Sequence, residues 1–166
     1  MVVNTPYDDV FKTLTIDCKE LLLPIVNEVF HEHYVGDEEI VFHPDVHFLS
    51  QQNGDESKRI TDTFFEIISK ETKKYHFECQ STDDSTMLIR IFEYDTQIAL
   101  EHGSITNSTL KVTFPNSAIL YLRSSKSTPD QLHVHMMTPG GDVIYPIQVI
   151  KLKRYSLDAI FEKHLF

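Results

Sequence analysis

The chain has 166 residues, of which 41% are apolar and 24% charged, a composition that excludes collagen-like, mucin-like and disordered proteins. This length suits a single domain, residues 1–166, with a hydrophobic core. The net charge of −10 argues against a protein that binds polyanions nonspecifically. Residues 1–62 carry 13 acidic and 4 basic side chains, so most of the negative excess precedes residue 63.

The ends of the chain and its cysteines indicate a cytoplasmic protein. No apolar run approaches the roughly 18 residues that a membrane span needs, and the first residues lack a basic region followed by an apolar block. Cys18 and Cys79 are far apart and match no metal or redox spacing, which is typical of reduced core residues.

An amphipathic pattern over 156–166 ends on an apolar Phe, so we expect either a docked helix or a natural chain that continues beyond it.

The predicted elements of the first half are helices followed by strands. Apolar residues recur at helical spacing over 21–33, and the pattern changes to alternation after Gly36. The alternation predicts one strand, or two short pieces of one, over 40–48, a second strand over 60–68 and a third over 75–80. The polar residues 70–74 predict a hairpin turn between the last two strands.

The second half opens with the clearest helix of the chain. A capping pattern at 81–84 precedes helical periodicity that runs to His102 and stops at Gly103. Strands are predicted over 117–123, 132–138 and 143–152, the last two joined by a turn at 139–142. This order predicts an α/β domain whose mixed sheet is flanked by helices, with a strand after the long helix running parallel to an earlier one.

Three oxygen-bearing side chains are predicted to meet on the hairpin. Asp62 is placed on the second strand, and Glu78 and Gln80 share one face of the third. Two neighbouring carboxylates repel each other unless a hard cation lies between them, and Mg²⁺ prefers such oxygen ligands. The spacing therefore predicts a metal site, with a solvated sheet edge as the alternative.

Several motifs together resemble one nuclease superfamily. They are YDDVFK at 7–12, NEVF at 27–30, ITD at 60–62, YHFECQS at 75–81, MxxRIFEY at 87–94, TPGG at 138–141 and YSLDxIFEK at 155–163. In these motifs the chain resembles the PD-(D/E)XK nucleases, and within them the branch of transposases and recombination-promoting nucleases. The resemblance implies a restriction-endonuclease-like core of α-βββ-α-β order over nearly the whole chain.

The resemblance also implies a ligand set and shows one departure from it. Asp62, Glu78 and the backbone carbonyl of Cys79 would hold Mg²⁺ or Mn²⁺. Gln80 stands where the superfamily has its namesake lysine, and an amide orients water but supplies no positive charge. Arg90, on the polar face of the following helix, is the first candidate for the substitute cation, ahead of lysines in the hairpin turn.

The acid that the superfamily contributes from its first helix has two candidates here. Glu28 lies one helix upstream of the first predicted strand, and Asp8 lies in the opening motif. We favour Glu28, with an ordinary solvated helix acid as the alternative. Two further pairs, His31-x-His33 and His133-x-His135, lack a third ligand at suitable spacing, so we interpret them as solvated or packed histidines rather than a zinc site.

The sequence thus predicts a Mg²⁺-dependent DNA endonuclease of a mobile element or of recombination, which hydrolyses phosphodiesters with a metal-activated water. Its expected catalytic residues are Asp62, Glu78, Gln80, Glu28 and Arg90, and its expected partner is DNA. A homodimer is left open, and no membrane is expected. The alternative is a catalytically inactive domain that binds nucleic acid or protein and keeps the nuclease fold, which the net charge and Gln80 favour.

Overall fold

A computed structural model describes residues 22–43, 47–52, 55–60, 63–81, 86–156 and 158. Within these residues lie two α-helices, α1 (Leu22–Phe30) and α2 (Met87–Glu101). The strands are β1 (Glu39–Phe42), β2 (His47–Gln52), β3 (Asp55–Ile60), β4 (Thr63–Ile68), β5 (Thr72–Gln80), β6 (Ser104–Thr106), β7 (Thr109–Lys111), β8 (Asn116–Tyr121), β9 (Gln131–Thr138) and β10 (Gly141–Lys151). A 3-10 turn, Leu152–Arg154, follows β10.

Six strands form one mixed sheet in the order β1-β4-β5-β8-β10-β9. Strand β4 is antiparallel to both β1 and β5, β8 is parallel to both β5 and β10, and β9 is antiparallel to β10. A parallel pair needs a long crossover, which α2 provides between β5 and β8. The predicted mixed α/β domain, with a strand after the long helix parallel to an earlier one, is therefore confirmed.

Two short hairpins stand apart from this sheet, β2 with β3 and β6 with β7. The predicted strand over 60–68 is wrong at its start, because Ile60 ends β3 opposite His47 and the main-sheet strand begins at Thr63. The third predicted strand begins earlier than expected, at Thr72, whose register partner is Ile68. Three predictions lie outside the described residues. They are the positions before residue 22 where helices were expected to begin, the capping pattern at 82–84 and most of the helix over 156–166.

One face of the sheet packs against α1. Strand alternation turns every second side chain of β4 and β5 toward this helix. The buried cluster comprises Leu22, Leu23, Ile25 and Val26 of α1 with Ile40, Phe65, Ile67, Tyr75, Phe77, Cys79, Ala118, Leu120 and Ile150 of the strands. Each large side chain that is fully buried contributes roughly 1.5–3 kcal/mol, so this cluster is a main source of stability.

The other face packs against α2. Met87 and Ile91 of the helix meet Ile119, Tyr121 and Ile147 of the sheet in a second buried cluster. The helix ends next to His102 as predicted, and the His102 N–H bonds to the Ile98 carbonyl there, but the helix begins at Met87 after the N-cap residue Thr86, later than the capping pattern at 81–84 predicts. In the part of the chain that is described, neither helix has the length and hydropathy to cross a membrane.

Candidate functional site

A fully buried carboxylate lies on the α2 face of the sheet. Phe77 and Cys79 of β5 point into the α1-side core, so the alternate residues His76 and Glu78 point the other way. Both side chains have a relative exposure of 0%. Because burial of an unpaired carboxylate costs several kcal/mol of desolvation free energy, Glu78 needs compensating charges close by.

Two cations provide this compensation at ion-pair distances. His76 Nε2 lies 3.4 Å from Glu78 Oε1, and Arg90 Nη2 lies 3.5 Å from Glu78 Oε2. Arg90 comes from the first turns of α2 and keeps 25% of its side chain exposed. The carboxylate therefore lies between a cation from its own strand and one from the helix above it.

A second buried carboxylate, Asp95 of α2, holds the far side of the histidine. His76 Nδ1 lies 2.7 Å from Asp95 Oδ1, while the Ser117 hydroxyl donates to Asp95 Oδ2 over 2.7 Å. The Tyr145 hydroxyl donates to the same oxygen over 3.4 Å. Strands β5, β8 and β10 are thus tied to α2 by one buried acid, which has a relative exposure of 0%.

This arrangement keeps the histidine protonated. Burial lowers the pKa of His76, but its hydrogen bonds and charge interactions with Asp95 and Glu78 outweigh burial and raise that pKa to about 10. Both ring nitrogens then carry protons near pH 7, one directed to each acid. Burial, with the Asp95 charge, also raises the pKa of Tyr145, which keeps that phenol a donor.

Of the other predicted site residues, the structure describes Gln80 and Arg90 on the same strand as Glu78 or in contact with it. Asp62 lies outside the described residues, but the next residue, Thr63, pairs with Phe77, which directly precedes Glu78. Gln80 ends β5, half-buried, on the same alternation as Glu78, and its carbonyl accepts from the Leu122 N–H over 3.0 Å. Arg90, the predicted substitute cation, is the residue that the helix brings to Glu78.

Two other predicted residues lie toward the opposite face. The Glu28 carboxylate accepts a hydrogen bond from the Tyr155 hydroxyl over 3.4 Å, and Tyr155 packs against the α1-side core. Glu28 and Glu78 thus belong to opposite faces of the sheet. The Cys79 side chain is buried in the same α1-side core, so a role at the Glu78 site is left to its backbone carbonyl. Asp8, the alternative helix acid, lies outside the described residues.

Sequence reasoning missed the three residues that organise this site, His76, Asp95 and Ser117. A usable signal existed for Asp95, which follows Ile91 by four positions and precedes Ile98 by three, so it belongs to the apolar stripe of the helix. A carboxylate in a buried stripe requires a partner. Strand alternation puts His76 on the same face of the strand as Glu78, so His76 is the residue of that face that can pair with Asp95.

A metal ion needs several ligands that converge on one point. Among the described residues, no group of three or more His, Cys, Asp and Glu side chains is arranged to hold a metal. Carboxylate oxygens are donors that Mg²⁺ prefers, and Mg²⁺ keeps several waters rather than a full protein shell, but Glu78 is the one carboxylate among the described residues that the resemblance assigns to the ion. On β9, His133 and His135 are exposed, and His135 pairs with Asp142 at 3.2 Å.

Comparisons with known proteins give no further guide. The chain matches no protein-family model and no curated protein, and the search of solved structures finds no match. The chemistry of the site must be inferred from its own residues.

Proposed function

We propose that the protein is a Mg²⁺-dependent endonuclease that hydrolyses the phosphodiester bonds of DNA. The order of the elements around the main sheet supports the proposal: helix α1, three antiparallel strands, helix α2, then the parallel strand β8. The motif resemblance to the PD-(D/E)XK nucleases implies the same α-βββ-α-β order, so a restriction-endonuclease-like arrangement is part of the proposal. A cytoplasmic role in a mobile element or in recombination is part of the same proposal.

The register between β4 and β5 carries the proposal. Thr63 is opposite Phe77 and Phe64 is opposite His76, so one more step of the same ladder would put Asp62 opposite Glu78. Directly opposed residues of an antiparallel pair have Cβ atoms about 5 Å apart and share a face. Two carboxylates at that separation repel each other, and a divalent cation between them removes the repulsion.

The proposal gives each residue around the ion a role that its chemistry permits. Asp62, Glu78 and the Cys79 carbonyl would hold the ion. When bound, Mg²⁺ lowers the pKa of a coordinated water and neutralises charge on the phosphate. The Gln80 amide oxygen accepts a hydrogen bond from the attacking water, and the Arg90 guanidinium donates to phosphate oxygens in its fork geometry.

A specific observation favours a second candidate, a catalytically inactive domain that binds nucleic acid or protein. Glu78 already has His76 and Arg90 as counter-ions, so the fold can keep this buried carboxylate without a metal. Gln80 in place of a lysine and the net charge of −10 favour the same candidate.

A plasmid-nicking assay separates the two candidates. Supercoiled plasmid is incubated with the purified protein and Mg²⁺ or Mn²⁺, beside an EDTA control. Asp62→Ala and Glu78→Gln remove the proposed ligands, while Asp142→Ala removes an exposed acid far along the β9–β10 hairpin. The proposal expects the wild type and Asp142→Ala to nick the plasmid and the two ligand variants to leave it intact. Nicking should occur only when Mg²⁺ or Mn²⁺ is present. Absence of nicking by the wild type supports the inactive domain.

A further inference from the structure

Basic side chains collect in the two segments that follow β8 and end β10. These strands are parallel, with Tyr121 opposite Lys151, so both segments leave the sheet at the same end. Residues 122–130 and 151–156, which we call the basic cluster, contain one acid, Asp130, and five basic residues, Arg123, Lys126, Lys151, Lys153 and Arg154. The cluster is therefore strongly positive in a chain whose net charge is −10.

A buried lysine fixes the loop between β8 and β9. The Lys151 side chain is 3% exposed, and its ammonium donates to the Thr128 carbonyl and lies 2.9 Å from Asp130 Oδ1. Asp130 also pairs with Arg154, which ties the loop to the 3-10 turn. Within the loop, the Ser125 N–H donates to Thr128 Oγ1 over 3.0 Å. Internal contacts thus hold the backbone that carries the exposed members of the basic cluster.

Three cations of the basic cluster lie outside this internal network. Arg123, Lys126 and Lys153 are exposed, and none of them pairs with an acid in the part of the chain that the structure describes. Neighbouring cations repel each other, so an ion pair within the fold does not account for their presence together. An external polyanion would supply the missing negative charge.

The surroundings of these cations favour a nucleic-acid backbone over an anionic membrane. Serines at 124, 125 and 127 place hydroxyl groups beside Lys126, and such hydroxyls join Arg and Lys in contacts with phosphate oxygens. A membrane-bound surface combines basic residues with exposed apolar ones. None of the large, exposed apolar side chains among the described residues belongs to the basic cluster.

The basic cluster also adjoins the strand that carries Glu78. Strands β5, β8 and β10 are parallel, and their carboxyl ends share the end of the sheet where open α/β sheets bind ligands. The Arg123 N–H donates to the carbonyl of Ser81 over 3.0 Å, three residues after Glu78. A backbone bound along the cluster would therefore pass the end of β5.

We propose that the basic cluster binds the phosphate backbone of DNA, with Arg123, Lys126 and Lys153 as its phosphate contacts. The inference deepens the proposed function and rests on it, because it names the surface that holds the DNA substrate. Lys151 is a positioning residue, which holds the loop and does not touch DNA. Each contacted phosphate releases counter-ions and contributes about 0.9 to the slope of log affinity against log salt concentration.

Binding of a short, fluorescently labelled DNA duplex of mixed sequence, followed by anisotropy, tests the proposal. Measurements in EDTA exclude metal-dependent cleavage, and circular dichroism checks folding. The variants are Arg123→Gln and the double variant Lys126→Gln/Lys153→Gln. The matched control, Lys70→Gln/Lys111→Gln, removes the same charge from exposed lysines that precede β5 and β8. Vesicles of phosphatidylserine and phosphatidylcholine are the second probe.

The expected result is weaker duplex binding by both cluster variants and unchanged binding by the control. In Lys126→Gln/Lys153→Gln the salt slope should fall by about 1.8, which is a roughly tenfold smaller change in affinity between about 50 and 200 mM salt. Arg123→Gln should lower the slope by about 0.9.

Equal weakening in the two double variants overturns the inference, because net charge alone would explain it. Cluster variants that bind the duplex as the wild type does also overturn it, while metal-dependent nicking by the wild type would leave the proposed function standing. Duplex binding through the cluster without nicking supports the inference and contradicts only cleavage. A wild type that binds no duplex overturns both, and vesicle binding that the cluster variants lose would then assign the surface to a membrane.

Discussion

His76 Nδ1 lies 2.7 Å from Asp95 Oδ1, although 19 positions separate the two residues in the chain and they belong to different elements. The contact joins the centre of the sheet to the middle of α2. Because both groups are fully buried, water cannot replace either partner. The pair thus couples the stability of the fold to the charge state of the candidate site.

Removal of the Asp95 charge should destabilise the protein. Asp95→Asn leaves protonated His76 with one acidic neighbour instead of two, and loss of one partner of a buried pair costs about 3–5 kcal/mol. Urea denaturation followed by circular dichroism measures the effect. In the control Asp142→Asn, an exposed pair with His135 is broken, and the expected loss is below about 1 kcal/mol. Equal losses in the two variants would contradict the assigned role of Asp95.

Stability should fall as the pH rises above neutrality. Because the pKa of His76 is raised to about 10 in the folded protein, against about 6.5 when unfolded, its stabilising contribution is complete below pH 6.5 and lost as pH rises through 10. Between these values the folded state binds more protons than the unfolded state, so stability declines steadily as the pH rises. Denaturation curves from pH 6 to pH 10 measure this slope. His76→Gln should flatten it, and an unchanged slope in that variant would contradict the assignment.

The turn between β9 and β10 offers a backbone test. Gly141 has φ +136°, a conformation that L-residues with side chains rarely adopt, whereas Gly140 is not in that region and has only Thr138 Oγ1 near an added Cβ, at 3.9 Å. Gly141→Ala should therefore lower the free energy of unfolding by about 1–3 kcal/mol. Gly140→Ala, one residue away, should stay within about 0.5 kcal/mol of the wild type. Thermal denaturation of both variants measures the difference, and equal midpoints would show that the φ value is not a constraint.

Local patterns in the sequence were enough to predict much of the fold. The helical period over 87–101 and the Pro-Gly-Gly run at 139–141 depend on neighbouring residues, so α2 and the β9–β10 hairpin were predicted from local sequence alone. The boundary between β3 and β4 was missed because β-branched and aromatic residues continue across it from Ile60 to Ile68, while the polar residues 55–59 of β3 give no strand signal. The β6–β7 hairpin was not predicted either.

The candidate site was harder to predict than the fold, because its contacts are long-range. Strand alternation correctly placed Glu78 on the face opposite Cys79, whereas Arg90, predicted on the polar face of the helix, reaches the buried Glu78. Alternation could not show that Glu78 would be fully buried, nor that Asp95 would compensate a protonated His76. Those features depend on how α2 packs over β5 and β8, which no local pattern contains.

Mn²⁺ binding measured by electron paramagnetic resonance tests the central claim most directly. Free Mn²⁺ gives a sharp six-line signal that is lost on binding, so titration counts the ions held by the wild type, Glu78→Gln and Asp62→Asn. We predict one ion per wild-type chain, with affinity lost in both variants. Binding by Asp62→Asn and Glu78→Gln as tight as that of the wild type, or no binding by the wild type, would contradict a metal site formed by these two carboxylates.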